Sequence, residues 1–312
     1  MTAAAAGLPA PADELPASRP WWGYFLRNRA AALGAAFVLT VLLLALVGPT
    51  LYPALLPPAE RQSRNGVYQD YDAILASPSA EHWLGADYLG RDVLTRLLHA
   101  VRVSLLVALV VETINILLGG VLGLMAGYFG GWVDMLISRL ADMLFAFPGL
   151  LLAILVSAVF GEAARDLYGG MGRLLLVAGA LSLVSWPLMA RLVRSETLSL
   201  KSREFVLAAR SIGARETRIL ARHLLPNVAW LIVVAATLDV SAVIVNEATL
   251  SLLGLGIEEP GASLGLMIFR SVSHLERYPL QVFIPAAMIT GLVLAFSFIG
   301  DGLRDALDPH SR

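Results

Sequence analysis

SREFVLAARSIGARETRILARHLLPN, residues 202–227, is basic, amphipathic and interrupted by a single glycine, yet it lies between two runs suited to lipid. The chain is 57% hydrophobic and only 15% charged, with a mean hydropathy of +0.72, against roughly 25% charge in a soluble domain. That composition belongs to integral membrane proteins. A charged amphipathic stretch between apolar runs therefore reads as a loop at the membrane surface.

Hydrocarbon offers no partner to an open backbone group, so a span needs about 20 mainly apolar residues in helical form. Six segments qualify: residues 31–52, 103–127, 135–160, 174–193, 228–252 and 282–300. The predicted fold is all-α, with six transmembrane helices and a cytoplasmic helical hairpin. Orientation follows from arginine and lysine, which are retained on the cytoplasmic side. The loop between spans four and five carries eight: Arg191, Arg194, Lys201, Arg203, Arg210, Arg215, Arg218 and Arg222. It is placed in the cytoplasm, and six spans then put both termini there. The predicted organisation is a tail over 1–30, a first span over 31–52, an external segment over 53–102, a core over 103–300 and a tail over 301–312. Within the core lie the cytoplasmic loop 194–227 and an external loop 253–281. In the external segment, Val93, Leu94, Leu97 and Leu98 recur at helical spacing and predict a short helix along the membrane surface.

Within 202–227, a helix over 203–212 groups Phe205, Ala208, Ala209 and Ile212 on one face. Arg203, Glu204, Leu207, Arg210 and Ser211 fall on the other. Gly213 ends it as a left-handed cap, a second helix runs over 215–225, and Pro226 starts the next span. Residues 201–222 hold six basic and two acidic side chains, with no acid four residues after any base. Anionic lipid headgroups would satisfy the arginines but leave Leu207 exposed and give no reason for two helices. Docking on another protein explains both.

LAARSIG (207–213), followed after nine residues by HLLP (223–226), resembles the EAA-type signature of permease subunits of ABC importers. Six ordered blocks extend the likeness: HWLGADYLGRDVLTRLLHAVRVSLLV (82–107), GLMAGYFGGWVD (123–134), RLADMLFAFPGLLLAIL (139–155), the run 185–214, EATLSLLGLG (247–256) and GDGLRDALDP (300–309). Together they resemble the second permease of the dipeptide/oligopeptide/nickel importer family. The resemblance implies a type I importer permease of a bacterial or archaeal plasma membrane, forming half of a pathway for di- or oligopeptides. It further implies a homologous second permease, two cytoplasmic ATPases that bind ATP and Mg²⁺, and an external substrate-binding protein. Docking on the ATPase is carried over to Arg203, Glu204, Phe205, Leu207, Ala208, Ala209, Arg210, Gly213 and Pro226. Leu207 stands where the pattern has Glu, and His223 where it has Ile.

The chain itself provides no nucleotide loop of the Walker type, since its only lysine, Lys201, follows Leu200 and not glycine. With no cysteine and no ligand spacing among its histidines, it is expected to hold no structural metal and no cofactor of its own. Its net charge of −1 gives no reason to expect nucleic acid. Glu112, Asn115, Asp142, Asp239, Asn246 and Glu247 lie at membrane depth and must face the bundle interior or a wet path, because a charge in lipid costs at least about 2.5 kcal/mol. They either line the path or tie helices together. A secondary transporter using such carboxylates as a proton relay is the alternative reading. Gly119, Gly123 and Gly127 form two consecutive small-xxx-small pairs for close helix packing, within this chain or against a partner. Pro187 predicts a kink in the fourth span. SLLGLGIEEPGASLG (251–265) reads as a surface or re-entrant loop.

Overall fold

The computed structural model of the protein describes residues 21–54 and 67–307. They are almost wholly helical. In chain order the helices are α1 (Trp21–Arg27), α2 (Arg29–Ala54), α3 (Val93–Ile114), α4 (Val121–Phe129), α5 (Gly131–Phe145) and α6 (Gly149–Leu200). There follow α7 (Glu204–Ser211), α8 (Glu216–Ile219), α9 (Leu225–Leu252), α10 (Leu264–Ser271) and α11 (Leu280–Leu307). A π-helical turn, Asn115–Gly120, joins α3 to α4, and another, Leu220–Leu224, joins α8 to α9.

Among the described residues five helices are long and apolar enough to cross a membrane: Arg29–Tyr52, Val93–Phe129, Gly149–Leu200, Glu216–Leu252 and Leu280–Leu307. The 52-residue α6 is not one rod. Tyr168 and Gly169 leave helical dihedrals, Gly169 with φ +59°, and the chain folds back there. Gly149 faces Val184, Gly161 faces Arg173 and Gly172 faces Ala164, so residues 149–167 and 170–200 are antiparallel limbs. The two limbs supply the sixth pass along the bundle. The third pass was expected as one helix over 135–160. It is instead α5 plus the first limb, bent at Ala146–Pro148, because proline disfavours helical geometry in the residue before it. In the second limb Pro187 keeps helical dihedrals, and the fold-back at Tyr168 and Gly169 falls between the third and fourth expected spans.

Three further expectations give way. The surface helix around Val93–Leu98 does not exist separately: Val93 is the first residue of α3, and Val93, Leu97, Ala100 and Val101 are buried in the main core. Apolar spacing alone could not distinguish a helix on lipid from the inward extension of a span. The external loop 253–281 contains α10, whose Leu264 and Leu266 are buried and whose Gly265 leaves no room for a side chain, a Cβ there meeting Ala248 O at 2.2 Å. The tail assigned to 1–30 includes α1, with Phe25 against Gly302 of α11; residues 1–20 lie outside the described residues, as do 308–312 of the other tail.

α2 packs on α11, α11 on α9, and α9 on α3 and α6, around a core that includes Val107, Val111, Val177, Ile244 and Leu292. The glycine stripe is spent inside the chain, against the second limb of α6. A Cβ on Gly119 would lie 2.7 Å from Trp186 O, on Gly123 2.5 Å from Ala190 O, and on Gly127 2.8 Å from Arg194 O. Backbones therefore touch directly over about two turns of helix. Asp92 caps α3, its Oδ1 accepting from Thr95 N at 2.9 Å and Thr95 Oγ1 at 3.0 Å while Oδ2 meets His82 Nδ1 at 3.1 Å.

Two stability predictions follow from these contacts. Gly123→Leu should cost roughly 1–3 kcal/mol by overpacking and lower the melting temperature of the solubilised protein, whereas Gly179→Leu, at a position with nothing within 4 Å, should not. Asp92→Ala should lose about 1 kcal/mol with the cap, read as a lower thermal midpoint that Asp92→Asn largely restores.

Candidate functional site

At one end of the bundle, the second limb of α6 runs on to Leu200, so residues expected in a loop are helical. Arg191 and Arg194 belong to it and are paired: Arg191 with Asp142 at 2.6 Å, its guanidinium 4.1 Å from the Phe145 ring, and Arg194 with both oxygens of Asp134, the Nη2–Oδ2 bond at 2.7 Å. Asp142 is thus an exposed ion-pair partner and does not join the carboxylates in the bundle interior. Lys201 turns back and donates to Gly127 O at 3.1 Å, occupying the open carbonyl end of α4.

α7 follows, with Arg203 at its N-cap position making no side-chain cap and Gly213 closing it at φ +78°. Gly213 N donates to Arg210 O at 3.0 Å and Ala214 N to Ala209 O at 3.1 Å, the paired bonds of a Schellman cap, which needs a left-handed residue at that point. Val206 and Ala209 are the buried residues of α7. They pack with Ile219, Leu224 and Tyr128. Phe205, Ala208 and Ile212, expected on the same face as Ala209, are exposed, Ile212 by 86%. They border a concavity of about 470 Å³ with Ala209, Gly213, Ala214, Arg218 and His223. Leu207 is 48% exposed. Arg210 reaches Tyr128, Nη2 to Oη at 3.4 Å with the guanidinium 5.6 Å from the ring centre. Glu204 is exposed at the start of α7. Among the described residues, Arg203, Arg210, Arg215, Arg218 and Arg222 form no ion pair within 4 Å.

The expected second helix of the hairpin does not stop at residue 225. Glu216–Leu252 is continuous, and Pro226 lies inside it. The π turn Leu220–Leu224 immediately before Pro226 widens the helix where the proline ring and missing N–H would otherwise disrupt it.

Within the bundle, Asn115 is the centre of a polar cluster. Its Nδ2 donates to Glu112 Oε1 at 3.4 Å and Asp239 Oδ2 at 3.2 Å, and its Oδ1 accepts from Ser185 Oγ at 2.9 Å. Three helical runs meet there. Asp239 and Ser185 also line a cavity of about 300 Å³ between α6 and α9, with Leu188, Met189, Leu238 and Ala242. Glu247, fully buried two turns further along α9, accepts from Ser104 Oγ and Ser251 Oγ, each at 2.8 Å. Asn246 beside it is half-buried and makes no hydrogen bond among the described residues. The sequence reading had omitted Ser185, Tyr128, Val206 and the role of Lys201 at α4; their signal is pairing across distant segments, which periodicity does not carry.

At the opposite end, the segment 253–263 is tied to the start of α3. Asp87 accepts from Arg91 Nε at 2.8 Å, Arg91 donates onward to Glu259 Oε1 at 3.1 Å, and Arg96 donates to Gly261 O at 3.1 Å. Tyr88 Oη donates to Glu259, and Arg173 pairs with Glu258. Burial opposes ionisation of Glu259, but the Tyr88 hydrogen bond and Arg91 prevail and hold its carboxyl below the usual glutamate range. The stretch 251–265 is therefore a pinned lid over this end.

Residues 119–312 match the family described as the binding-protein-dependent transport system inner membrane component, and residues 19–78 match the N-terminal TM domain of oligopeptide transport permease C. The dipeptide transport system permease protein DppC of Alkalihalophilus pseudofirmus is 38% identical over 97% of this chain and 94% of its own. The glutathione transport system permease protein GsiD of Pectobacterium atrosepticum is 40% identical over 93% of this chain and 90% of its own, and Bacillus subtilis DppC is 37% identical over 93% and 85%. A chain of the inward-facing MetNI methionine ABC transporter shares the fold, with a TM-score of 0.55 and 19% identity over 68% of this chain and 96% of that one. A helical bundle with a capped, outward-facing α7 and kinship along nearly its whole length to such permeases places this chain in the family of binding-protein-dependent ABC importer permeases, as a multi-pass membrane subunit.

Proposed function

We propose that the chain forms half of the transmembrane pathway of an ATP-driven importer of di- or oligopeptides. A homologous permease forms the other half, two ATPases dock on the α7 end, and a substrate-binding protein delivers from the pinned-lid end. The α7 end and both termini face the cytoplasm of a bacterium or archaeon. ATP and Mg²⁺ are held by the ATPases. Relatives named for dipeptide and glutathione transport support a substrate built of amide-linked amino acids.

The observation that carries this reading is α7 itself. Its two buried residues anchor it to the chain, while Phe205, Ala208 and Ile212 present apolar surface around a concavity that none of the described residues fills. Exposed apolar area beside five arginines without ion pairs suits a protein partner with an apolar centre and acidic rim. Glu204, Leu207, Arg203 and Arg210 border that surface, and Pro226, exposed one turn after His223, stands at its edge. In this reading Glu112, Asn115 and Asp239 belong to the path, whereas Glu247, with serine hydroxyls on both oxygens, ties α9 to α3.

Ala208→Arg should abolish co-purification of the ATPases while leaving the fold intact, since position 208 faces the concavity. Gly213→Val should do the same by straining the left-handed cap. ATPases that co-purify undiminished with both variants would remove the docking role. Uptake into proteoliposomes should require the ATPases and ATP, and uptake by this chain alone under a proton gradient would contradict the proposal.

A further inference from the structure

WWGYFLR, the seven residues of α1, holds four aromatic side chains in a chain that is 8% aromatic overall. Phe25 packs against Gly302 of α11, whereas Trp21, Trp22, Tyr24 and Leu26 are exposed, Trp22 by 55% and Leu26 by 63%. No residue of α1 is buried, so its packing on α2 and α11 leaves most of its surface open. Helices this short are marginal in water, and apolar ones need a surface to lie against.

α1 is not the first turn of the span that follows. Asn28 interrupts the helix and caps α2, its Oδ1 accepting from Ala31 N at 3.2 Å. Arg27 and Arg29 flank that break and are exposed. Neither pairs with a carboxylate among the described residues, Asp301 and Asp305 on the adjoining turns of α11 included.

Depth identifies what meets the open side. The run Arg29–Tyr52 has 24 residues, about 36 Å at 1.5 Å per residue, against about 30 Å of hydrocarbon. Its ends therefore reach the headgroups, which puts Asn28 and α1 in that layer. Ser241 Oγ donates to Val293 O at 3.1 Å and Gly300 faces Leu238, so α11 runs antiparallel to α9 and α1 lies towards the α7 end. Leu33, Leu39 and Leu43 of α2 bring exposed apolar surface up to α1. Tryptophan and tyrosine suit this depth, because each joins an apolar ring to a polar hydrogen. A water-soluble partner would account for the aromatics but not for their level beside a span. Lipid accounts for both, and two cations without ion pairs select anionic headgroups.

We propose that α1 is an anchor for anionic lipid. Trp21, Trp22 and Leu26 seat in the headgroup layer of the leaflet at the α7 end, and Arg27 and Arg29 bind its phosphates. The anchor is independent of what the importer carries.

The test uses the full chain in nanodiscs, where its lack of cysteine lets Leu26→Cys carry a single nitroxide. Position 26 is exposed, so the label disturbs no core packing. With phosphatidylcholine and phosphatidylglycerol at roughly three to one, collisions with oxygen and with a water-soluble nickel chelate should place the nitroxide at headgroup depth. Adding Arg27→Gln and Arg29→Gln should shift the balance from seated to water-exposed label by about 25-fold, about fivefold for each arginine near a charged surface. Pure phosphatidylcholine should have the same effect, and Arg27→Lys with Arg29→Lys should leave the label seated. A label in water with both arginines and anionic lipid present would overturn the anchor. Headgroup depth that ignores the arginines and the lipid charge would overturn its anionic selectivity. A label that becomes shielded from both reagents when the chain is assembled with the second permease would assign the face to a protein neighbour and overturn the lipid surface. None of these outcomes touches the docking or peptide readings.

Discussion

The contact between the glycines of α4 and its preceding π turn and the second limb of α6 determines where everything else can be. With no side chain at Gly119, Gly123 or Gly127, the helix backbones meet directly, which fixes both the distance and the register of the pair. At one end of that contact, Lys201 donates to the carbonyls of Gly127 and Tyr128, and Arg210 of α7 reaches the Tyr128 hydroxyl in turn. At the other end Asn115 comes into reach of Ser185. The docking surface and the polar cluster are thus set by one packing interface, although about three and a half turns of helix separate Asn115 from Tyr128.

The bundle was legible in the sequence to the extent that lipid dictates it. Five of the six expected spans lie inside single helical runs, since hydrocarbon leaves an apolar backbone no alternative to a helix. Turns inside apolar sequence were harder to read. Pro148 was visible, but composition on both sides of it is alike, so the bend carried no contrast, whereas the fold-back at Gly169 falls in the polar gap 161–173 expected between the third and fourth spans. The amphipathic run from Val93 was mistaken for a surface helix because its apolar face looks the same whether it meets lipid or Val41 and Ala45 of the neighbouring span.

The candidate site was legible as residues and not as relationships. Gly213 announced its cap correctly, because a left-handed residue after an amphipathic turn is a local requirement. The face that α7 buries was not local: Val206 goes inward because Ile219 and Leu224 happen to lie beneath it, and Phe205 is thereby turned out. The membrane-depth acids were equally opaque. Nothing in their neighbouring residues says that Glu247 finds Ser104 on α3 while Glu112 finds Asn115 one turn away. Charge also divides along the same loop. Arg191 and Arg194 are committed to Asp142 and Asp134, so only the basic residues beyond Lys201 remain free to steer an approaching partner, an effect that salt would screen.

The unbroken helix from Glu216 to Leu252 spans about 55 Å at 1.5 Å per residue. Its first turns support α7, Asp239 sits near its middle, and Glu247 and Ser251 anchor its far end beneath the lid. The widened turn and Pro226, each a place where helices bend, fall together where α8 passes into α9. A tilt imposed at Ile219 would have to pass this point before it could swing Asp239 or, through Ser251, pull on the Ile257 backbone.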